Sequence, residues 1–299
     1  MTLTVRRARS RDKNRILEIS SRIWDGVDYV PSVLDEWLAD DTCELAVTER
    51  DGIVIAFARR SWLMPGYAWF QGIRSDPAYR GRGAGRALTE HLIEQTTREG
   101  ADTIGLSTYI DNEASIHIIA SHGFRRTASF VLTEIKEIRS SAISQDGPTI
   151  HHVDVERARA FIADSAWHTA ANGYYMCDWT VYPFARSPEI ALASSPYRVG
   201  ITDGVGSLRS LLCLSAVEDD GYAFVSFLDG STDDFQPLLA HAVRDLGIKR
   251  GAAMVPRKDG RTASAYDTFA RCGWAPWRDG SEDVFGYELT IDSASRHAI

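Results

Sequence analysis

Glycine and arginine are concentrated in one short segment of the sequence, PAYRGRGAGRAL at residues 77–88. An apolar, aromatic run precedes it and an amphipathic run follows it, so the segment is predicted to be a turn between a strand and a helix. Such a turn presents backbone N–H groups and the positive end of the helix dipole toward one point, which favours a phosphate or pyrophosphate. Gly83 and Gly85 would let the ligand approach the main chain. Counter-charge would come from three arginines: Arg80, Arg82 and Arg86.

Two common phosphate-binding motifs do not fit this spacing. A dinucleotide-binding fingerprint requires GxGxxG, whereas Gly81, Gly83 and Gly85 are each two residues apart. A P-loop requires GxxxxGK[ST], and the segment contains no lysine. The segment therefore belongs to neither class.

Two motifs follow each other along the first half of the chain. RGRGAG at residues 80–85 matches [RQ]xxGx[GA], and the predicted helix from Asn112 ends in HGF at 122–124. This order resembles the acetyl-CoA motif of the GNAT superfamily of N-acetyltransferases, over about residues 3–138. The resemblance implies an α+β acyl-CoA N-acyltransferase (GNAT) fold with a mixed central sheet flanked by helices. It also implies two central strands that splay apart, and acetyl-CoA as co-substrate.

The resemblance also implies which residues hold the coenzyme. The glycine turn would bind the pyrophosphate, and the strand at residues 72–75 would bind the pantetheine arm through its main chain. A later helix would flank that arm. The implied coenzyme-binding residues are Ile73, Arg74, Ser75, Arg80, Gly81, Arg82, Gly83, Ala84, Gly85, Arg86, Asn112 and Ser115.

The implied reaction is direct attack of a neutral amine on the thioester, with a main-chain N–H near Gly72 polarising the carbonyl. The candidate catalytic residues are Gln71, Gly72 and Asp28. Gln71 stands where relatives often carry a glutamate base, and Ile119 stands where many carry a tyrosine acid. A thiol of pKa about 8.5 leaves as thiolate at neutral pH for about 2 kcal/mol, so neither difference excludes acetyl transfer.

The segment DGVDYVPSVLDEWL at residues 25–38 resembles a loop of histidine N-acetyltransferase-like proteins, in which a degenerate acetyltransferase-like half follows a working one. The loop would wall the acceptor pocket. The candidate acceptor-binding residues are Trp24, Asp25, Asp28 and Tyr29. An alternative stays open, in which Asp25-Gly26 is only a turn and Tyr29 and Trp37 belong to the core.

A chain of 299 residues is expected to form two domains. We predict an acetyl-CoA-binding domain at 1–139, a polar linker at 140–150 and a degenerate acetyltransferase-like domain at 151–299. In the second half the sequence LDGSTDDF replaces the glycine turn. Three aspartates there would repel a pyrophosphate, which predicts one coenzyme site per chain: Asp229, Asp233 and Asp234.

Hydrophobic periodicity predicts the elements that must position these residues. Predicted strands cover residues 3–8, 43–49, 53–63, 67–74, 103–109, 125–138, 221–230 and 251–256. Predicted helices cover residues 11–24, 32–40, 84–100, 112–122, 156–167, 233–247 and 265–274. The order of elements in the second half repeats that of the first, which indicates one fold used twice.

Composition excludes several classes of protein. A net charge of −8 and a pI near 5.5 argue against a nucleic-acid surface. The four cysteines form no CxxC pair and the histidines show no HExxH spacing, so we expect reduced thiols and no metal site. The sequence shows neither a signal-peptide pattern nor an apolar run of about 18 residues, which predicts a cytoplasmic protein with no membrane partner.

The function predicted from the sequence is N-acetylation of a primary amine, expected to be the α-amine of an amino acid or another small molecule. At pH 7 an α-amine of pKa about 8 loses its proton for about 1.4 kcal/mol, whereas a lysine side chain needs about 4.6 kcal/mol. Without a glutamate at position 71 to remove a proton, the amine that is more readily deprotonated, the α-amine, is favoured. Two alternatives stay open: acetylation of protein N-termini, which would need an open groove, and a non-catalytic acyl-CoA sensor.

Overall fold

The computed structural model describes residues 3–136, 148–256 and 260–292. Most of the predicted linker, at 140–147, lies outside these residues, and so does the end of the strand predicted to reach residue 138. Residues 148–150 have no regular secondary structure. Among the described helices, none combines the length and the apolar composition needed to cross a bilayer.

In the first half of the chain, antiparallel strands lead into a parallel pair. Strands β1 to β5 are Leu3–Arg7, Glu44–Arg50, Ile53–Met64, Tyr67–Ser75 and Thr103–Tyr109. Helices α1 to α4 are Lys13–Ser20, Val30–Ala39, Ala84–Arg98 and Glu113–Ser121. Strands β1 to β4 are antiparallel neighbours in chain order, and β5 is parallel to β4. Because parallel strands need a crossover connection, the chain passes through α3 between them. Helices α1 and α2 bury Ile16, Leu34 and Trp37 in one core with residues of β2 and β3.

The second half repeats this order of elements. Strands β6 to β15 are Arg125–Ile135, His151–His152, Tyr174–Cys177, Thr180–Pro183, Tyr197–Thr202, Leu208–Leu214, Tyr222–Gly230, Arg250–Val255, Trp274–Pro276 and Val284–Thr290. Helices α5 to α9 are Val155–Ala163, Ala166–Ala170, Pro188–Ala193, Thr232–Asp245 and Gly260–Arg271. Strands β7, β10, β11 and β12 are antiparallel neighbours, β13 is parallel to β12, and α8 is the crossover.

Contacts divide the chain into two units whose boundaries differ from the predicted 1–139 and 151–299. The first unit contains Met1–Leu106, Asp111–Arg125 and Tyr287–Ile299, and the second contains Ser107–Ile110 and Arg126–Gly286. Strand β6, predicted to end the first domain, pairs with β13 in the second unit. The end of β15 instead lies beside β5 in the first unit.

Two hydrogen bonds hold the end of the chain in the first unit. The Tyr67 hydroxyl donates to Glu288 Oε1 at 2.8 Å, and the Ile291 N–H donates to the Asp102 carbonyl at 2.8 Å. The predicted boundaries did not include this arrangement, in which β6 belongs to the second unit and the end of β15 to the first. Local periodicity identifies a strand but does not show which distant strand it pairs with.

Most predicted elements that position the candidate site are confirmed within a few residues. The strand predicted at 67–74 is β4, and the helix predicted at 84–100 is α3. The helix predicted at 11–24 ends early, and a separate one-turn helix follows at Trp24–Gly26. The hairpin of β8 and β9 was not predicted. The four cysteines are free thiols.

Candidate functional site

Gly81 and Gly83 hold the turn between β4 and α3 in the left-handed backbone conformation, with φ of +73° and +80°. Residues other than glycine rarely adopt it. At the start of the turn, the buried Asp76 carboxylate accepts the Ala78 N–H at 2.9 Å and pairs with Arg15. Burial alone would raise the pKa of Asp76, but the Ala78 N–H and the Arg15 guanidinium lower it overall. The turn is therefore anchored at its first residue.

The first turn of α3 offers backbone N–H groups to an anion. Gly83 is the N-cap residue and has no side chain that can accept these hydrogen bonds. The Ala87 N–H donates to the Gly83 carbonyl at 3.0 Å, which is a helical hydrogen bond to the N-cap residue. The N–H groups of residues 84–86 precede Ala87, where the helix itself supplies no carbonyl acceptor. The first turn has no acidic residue, and the arginines of the turn are exposed: Arg80, Arg82 and Arg86. This combination is the usual anion-binding arrangement at a helix start.

Gly85 preserves a narrow space beside the end of β4. A Cβ at this position would lie 3.4 Å from Ile118 Cδ1 and 3.5 Å from Ser75 Oγ. A longer side chain would fill the space that a phosphate group needs. Asn112 and Ser115 are half-buried at the start of α4, the helix that carries Ile118. The predicted coenzyme residues of β4, the turn and α4 thus belong to neighbouring elements.

Strands β4 and β5 separate after a short pairing. Tyr67, Ala68 and Trp69 pair with β5, whereas β4 continues to Ser75 with no further pair to β5 among the described residues. Parting strands leave backbone N–H and C=O groups facing the gap. This is the splayed arrangement that the family resemblance implied, and it leaves main-chain groups of residues 72–75 facing the gap.

Gly72 forms a bulge in β4. Its φ is +63°, and the register between β3 and β4 shifts here, so that Gln71 lies opposite Arg59. A Cβ on Gly72 would lie 2.8 Å from Trp37 Cη2, closer than real Cβ atoms approach a neighbour. The position therefore requires glycine for both its backbone and its packing.

Asp28 and Arg74 form a buried ion pair, which corrects the expectation that Asp28 is free to orient an ammonium. Arg74 donates from Nη2 to Asp28 Oδ1 at 3.0 Å and from Nε to Oδ2 at 3.2 Å. The Ser20 hydroxyl also donates to Oδ2, at 2.7 Å, and the Asp28 side chain is only 1% exposed. Both oxygens are occupied by this pair and by Ser20. The pair engages only the side chain of Arg74, whereas its predicted coenzyme role belongs to its main chain. Sequence spacing gives no signal for partners 46 residues apart.

Trp24 and Asp25, two of the predicted acceptor residues, adopt strained backbone conformations. Their φ values are 46° and 55°, a region that costs a non-glycine residue about 1–3 kcal/mol. The Trp24 ring lies over the Arg74 guanidinium at 4.2 Å, whereas Asp25 is exposed to solvent. Trp24 therefore contacts β4 through Arg74.

Tyr29 brings a hydroxyl group to the bulge. Its ring meets Trp37 edge-on with centroids 6.0 Å apart, and a Cβ on Gly72 would lie 3.7 Å from its hydroxyl oxygen. Desolvation raises the pKa of this hydroxyl, and the charges of Arg74 and Arg59 partly oppose the shift. Trp37 is 5% exposed and belongs to the core, as the alternative interpretation held, but Tyr29 is 45% exposed.

Helix α4 brings no acid to position 119. Ile119 there is 1% exposed, and His117 is exposed on the same helix. His122 Nδ1 donates to the Ile118 carbonyl at 2.8 Å, and its Nε2 lies 3.3 Å from Glu90 Oε1. His122 is therefore a capping residue of this helix.

Strand β12 of the second unit corresponds to β4. Both strands have nine residues, begin with Tyr-Ala and pair with a parallel neighbour only over their first residues. In this correspondence Phe227 takes the place of Gly72. Phe227 is fully buried, and its ring centroid is 5.9 Å from that of Trp167. The second unit thus has a buried aromatic side chain where the first has glycine.

The start of α8 carries its own negative charge. Its first turn contains Asp233 and Asp234. Asp234 is 2% exposed and accepts from Arg209 Nε at 2.8 Å and from the Ser210 hydroxyl at 2.6 Å. Asp229 accepts a backbone N–H of α6 at 2.8 Å. The positive end of α8 therefore lies beside carboxylates, whereas that of α3 lies beside an arginine-rich turn.

Residues 13–124 match the family model described as Acetyltransferase (GNAT) family. The ribosomal protein bS18-alanine N-acetyltransferase of Escherichia coli is 36% identical over 75 residues, which cover 25% of this chain and 50% of that protein. The chain spans between 32% and 50% of the length of the first curated relatives that it matches.

Solved structures extend the likeness over both halves. A GCN5-related N-acetyltransferase from Sphaerobacter thermophilus has a TM-score of 0.64 at 15% identity, covering 98% of each chain. A tandem GNAT protein from the clavulanic acid biosynthesis pathway has a TM-score of 0.59 at 12% identity, covering 97% of this chain and 98% of that one. The predicted GNAT fold and its tandem arrangement are thereby confirmed.

Replacing Asp28 with asparagine is expected to lower the free energy of unfolding by about 3–5 kcal/mol, because the variant leaves Arg74 buried without its counter-charge. Urea unfolding of the full chain measures the change. Asp25→Asn is the matched control in the same loop, and its exposed carboxylate should change stability by less than about 0.5 kcal/mol. Equal stability of the Asp28 variant and the wild type would contradict the buried pair.

Proposed function

We propose that this chain, in which residues 13–124 form a GNAT-family domain, is an acetyl-CoA-dependent N-acetyltransferase. Its first unit would hold the coenzyme and transfer the acetyl group to a primary amine. The observation that carries the proposal is the start of α3, where N–H groups and exposed arginines follow the parted end of β4. A ligand with an anionic head and an extended, hydrogen-bonding arm matches both features, and acetyl-CoA is such a ligand.

The residues present fit this coenzyme. N–H groups of residues 83–86 would bind the pyrophosphate, and Gly85 leaves the room that a side chain would take beside Ser75. The main chain of residues 73–75 would hold the pantetheine arm, with Asn112 and Ser115 beside it. Bound acetyl-CoA would supply an activated thioester. Further charge would come from the arginines of the turn: Arg80, Arg82 and Arg86.

Strand β4 would stabilise the charge that develops on the thioester oxygen. The main-chain N–H of Ile73 is the donor in this proposal, since the strand lacks a parallel neighbour there, whereas the Gly72 N–H is bonded to the Tyr29 hydroxyl. Gln71 is uncharged and half-buried, so it would orient the acceptor through its amide group.

Two carboxylates near this strand are already ion-paired. Asp28 is bound to Arg74, and Asp40 accepts from Arg59 at 2.7 Å. Neither is a free base that could strip a proton from a lysine ammonium. This supports an acceptor that is partly neutral at pH 7, the α-amine of an amino acid or of another small molecule.

A second candidate is acetylation of a protein N-terminus. The observation that favours it is the likeness of 75 residues to an enzyme whose name specifies the alanine of a ribosomal protein. Both candidates acetylate an α-amine, so they share the same chemistry at β4. The second unit would bind no coenzyme in either case, since Phe227 and Asp234 stand where the first unit has glycine and an uncharged helix start.

Acetyl-CoA is expected to stabilise the full chain by about 2.7 kcal/mol at 100 times its dissociation constant. Replacing Arg80 and Arg86 with glutamine should weaken binding at least about 10-fold, because each removes a charge-assisted hydrogen bond to phosphate. Calorimetric titration and thermal unfolding measure both effects.

Arg98→Gln is the matched control, since it removes an exposed arginine from the other end of the same helix. It should leave binding unchanged. If the Arg80 and Arg86 variant bound acetyl-CoA as tightly as the wild type, the assignment of this turn would be wrong.

The wild-type chain is expected to prefer α-amines to lysine side chains at pH 7. From the difference in pKa, kcat/KM should favour free amino acids over lysine in N-blocked peptides by about 10²-fold at pH 7, and by about 20-fold at pH 9. Release of coenzyme A thiol with each acceptor measures the ratio. Peptides with a free N-terminus distinguish the second candidate.

A higher kcat/KM for the lysine side chain than for free amino acids at pH 7 would contradict the α-amine proposal. If the chain bound acetyl-CoA but released no coenzyme A thiol with any of the amines tested, the acyl-CoA sensor would be favoured instead.

A further inference from the structure

The exposed tryptophans of the chain contact the two strands that part from each other. All eight tryptophans lie in the described residues, and three of them are exposed. Trp24 contacts β4 through the Arg74 guanidinium. The other two, Trp179 and Trp277, both contact the end of β5. A single apolar side chain on a surface needs no explanation, whereas two exposed tryptophans at one strand end indicate a binding surface.

The turn of the β8–β9 hairpin is attached to β5. It consists of Asp178 and Trp179, since Cys177 pairs with Thr180. The φ of Asp178 is +50°, which suits a two-residue hairpin turn. The Ser107 hydroxyl on β5 donates to the Trp179 carbonyl. The main chain of the turn is therefore held at this strand.

The body of the hairpin is packed within the second unit, whereas its turn is exposed. The buried Tyr175 on β8 donates from its hydroxyl to Ser195 Oγ at 2.8 Å. On β9 the buried Val181 lies against β15, where a Cβ on Gly286 would be 3.3 Å from Val181 Cγ2. Trp179 is 43% exposed. The hairpin thus reaches from β15 to β5 and presents an indole ring to solvent there.

Tyr109 and Trp277 add a second aromatic surface at the same strand end. Their rings meet edge-on with centroids 5.8 Å apart, and Trp277 is 44% exposed. Side chains two residues apart lie on one face of a strand, so Ser107 and Tyr109 face the same side of β5. The attached turn and the aromatic pair therefore flank one face of this strand. All of these residues belong to the second unit.

Ser107 lies on the part of β5 that has left β4. The last pair between the two strands joins Trp69 to Gly105, two residues before Ser107. In the proposed function the thioester lies in the gap that opens here, and the attacking amine approaches it from the ends of these strands. The side chain of that amine would meet the aromatic face of β5. Such a face favours a flat, apolar group.

We infer that Trp179 selects the acceptor, and that the acceptor is a free amino acid with an aromatic side chain. This inference rests on the proposed function and names its substrate class. The acceptor ring would pack on the exposed indole, beside Tyr109 and Trp277, while the α-amine attacks the thioester. A two-residue turn offers a surface the size of one ring, which matches a single side chain better than an extended polypeptide.

The direct test measures binding without turnover. In the full chain saturated with coenzyme A, which carries no acetyl group, phenylalanine should bind at least about 10-fold more tightly than alanine, because its ring is buried against another ring. Trp179→Ala should abolish most of this preference, and Trp179→Phe should retain part of it. Calorimetric titration measures each dissociation constant.

Turnover supplies the second readout. Trp179→Ala should raise KM for phenylalanine about 10-fold and leave kcat within about twofold, because the indole contacts the acceptor side chain equally before and during the reaction. KM for alanine and the dissociation constant for acetyl-CoA should not change. Tyr197→Ala is the matched control, since it removes an exposed aromatic side chain from β10 of the second unit. It should change none of these values.

The outcomes separate this inference from the function on which it rests. If the wild type bound no coenzyme A, both would fall. If it bound coenzyme A, but the ratio of the dissociation constants for phenylalanine and alanine were the same in the wild type and in Trp179→Ala, the role of Trp179 would be refuted and the coenzyme site would stand. A higher kcat/KM for peptides that begin with phenylalanine than for phenylalanine itself would overturn the choice of a free amino acid.

Discussion

The first turn of every α-helix leaves backbone N–H groups that need a partner from outside the helix. In α3 the chain supplies no carboxylate for them: Gly83 is the N-cap, the first turn is free of acidic residues, and exposed arginines add positive charge. In α8 the first turn contains Asp233 and Asp234. The same place in two related units thus carries exposed arginines, which favour an external anion, in one unit, and carboxylates, which would repel an anion, in the other.

A second constraint acts one strand earlier. Gly72 has a positive φ and no room for a side chain against Trp37, while the corresponding Phe227 is fully buried. The open backbone in β4 leaves a main-chain N–H for a thioester, and it is also what lets the Tyr29 hydroxyl come close to the strand. Coenzyme binding and acetyl transfer in the proposed function therefore depend on glycine at two successive places along one connection, the bulge and the turn.

Local signals predicted much of this arrangement. Alternation of apolar residues identified β4, helical periodicity identified α3, and the glycine and arginine spacing identified the turn between them. Two features had no local signal. The pair of Asp28 with Arg74 joins a loop to a strand 46 residues away, and the end of β15 joins the first unit from the far end of the chain. Both depend on sheet register and packing, which a short window of sequence does not contain.

Hydrogen exchange of the full chain, with and without saturating acetyl-CoA, tests the central claim most directly, because it reads the backbone N–H groups themselves. Bound coenzyme should slow exchange in peptides that cover residues 72–75 and 81–87. Peptides that cover residues 229–236, at the start of α8, should be unchanged. Protection at α8, or binding without protection at the start of α3, would contradict the assignment of the coenzyme site to the first unit.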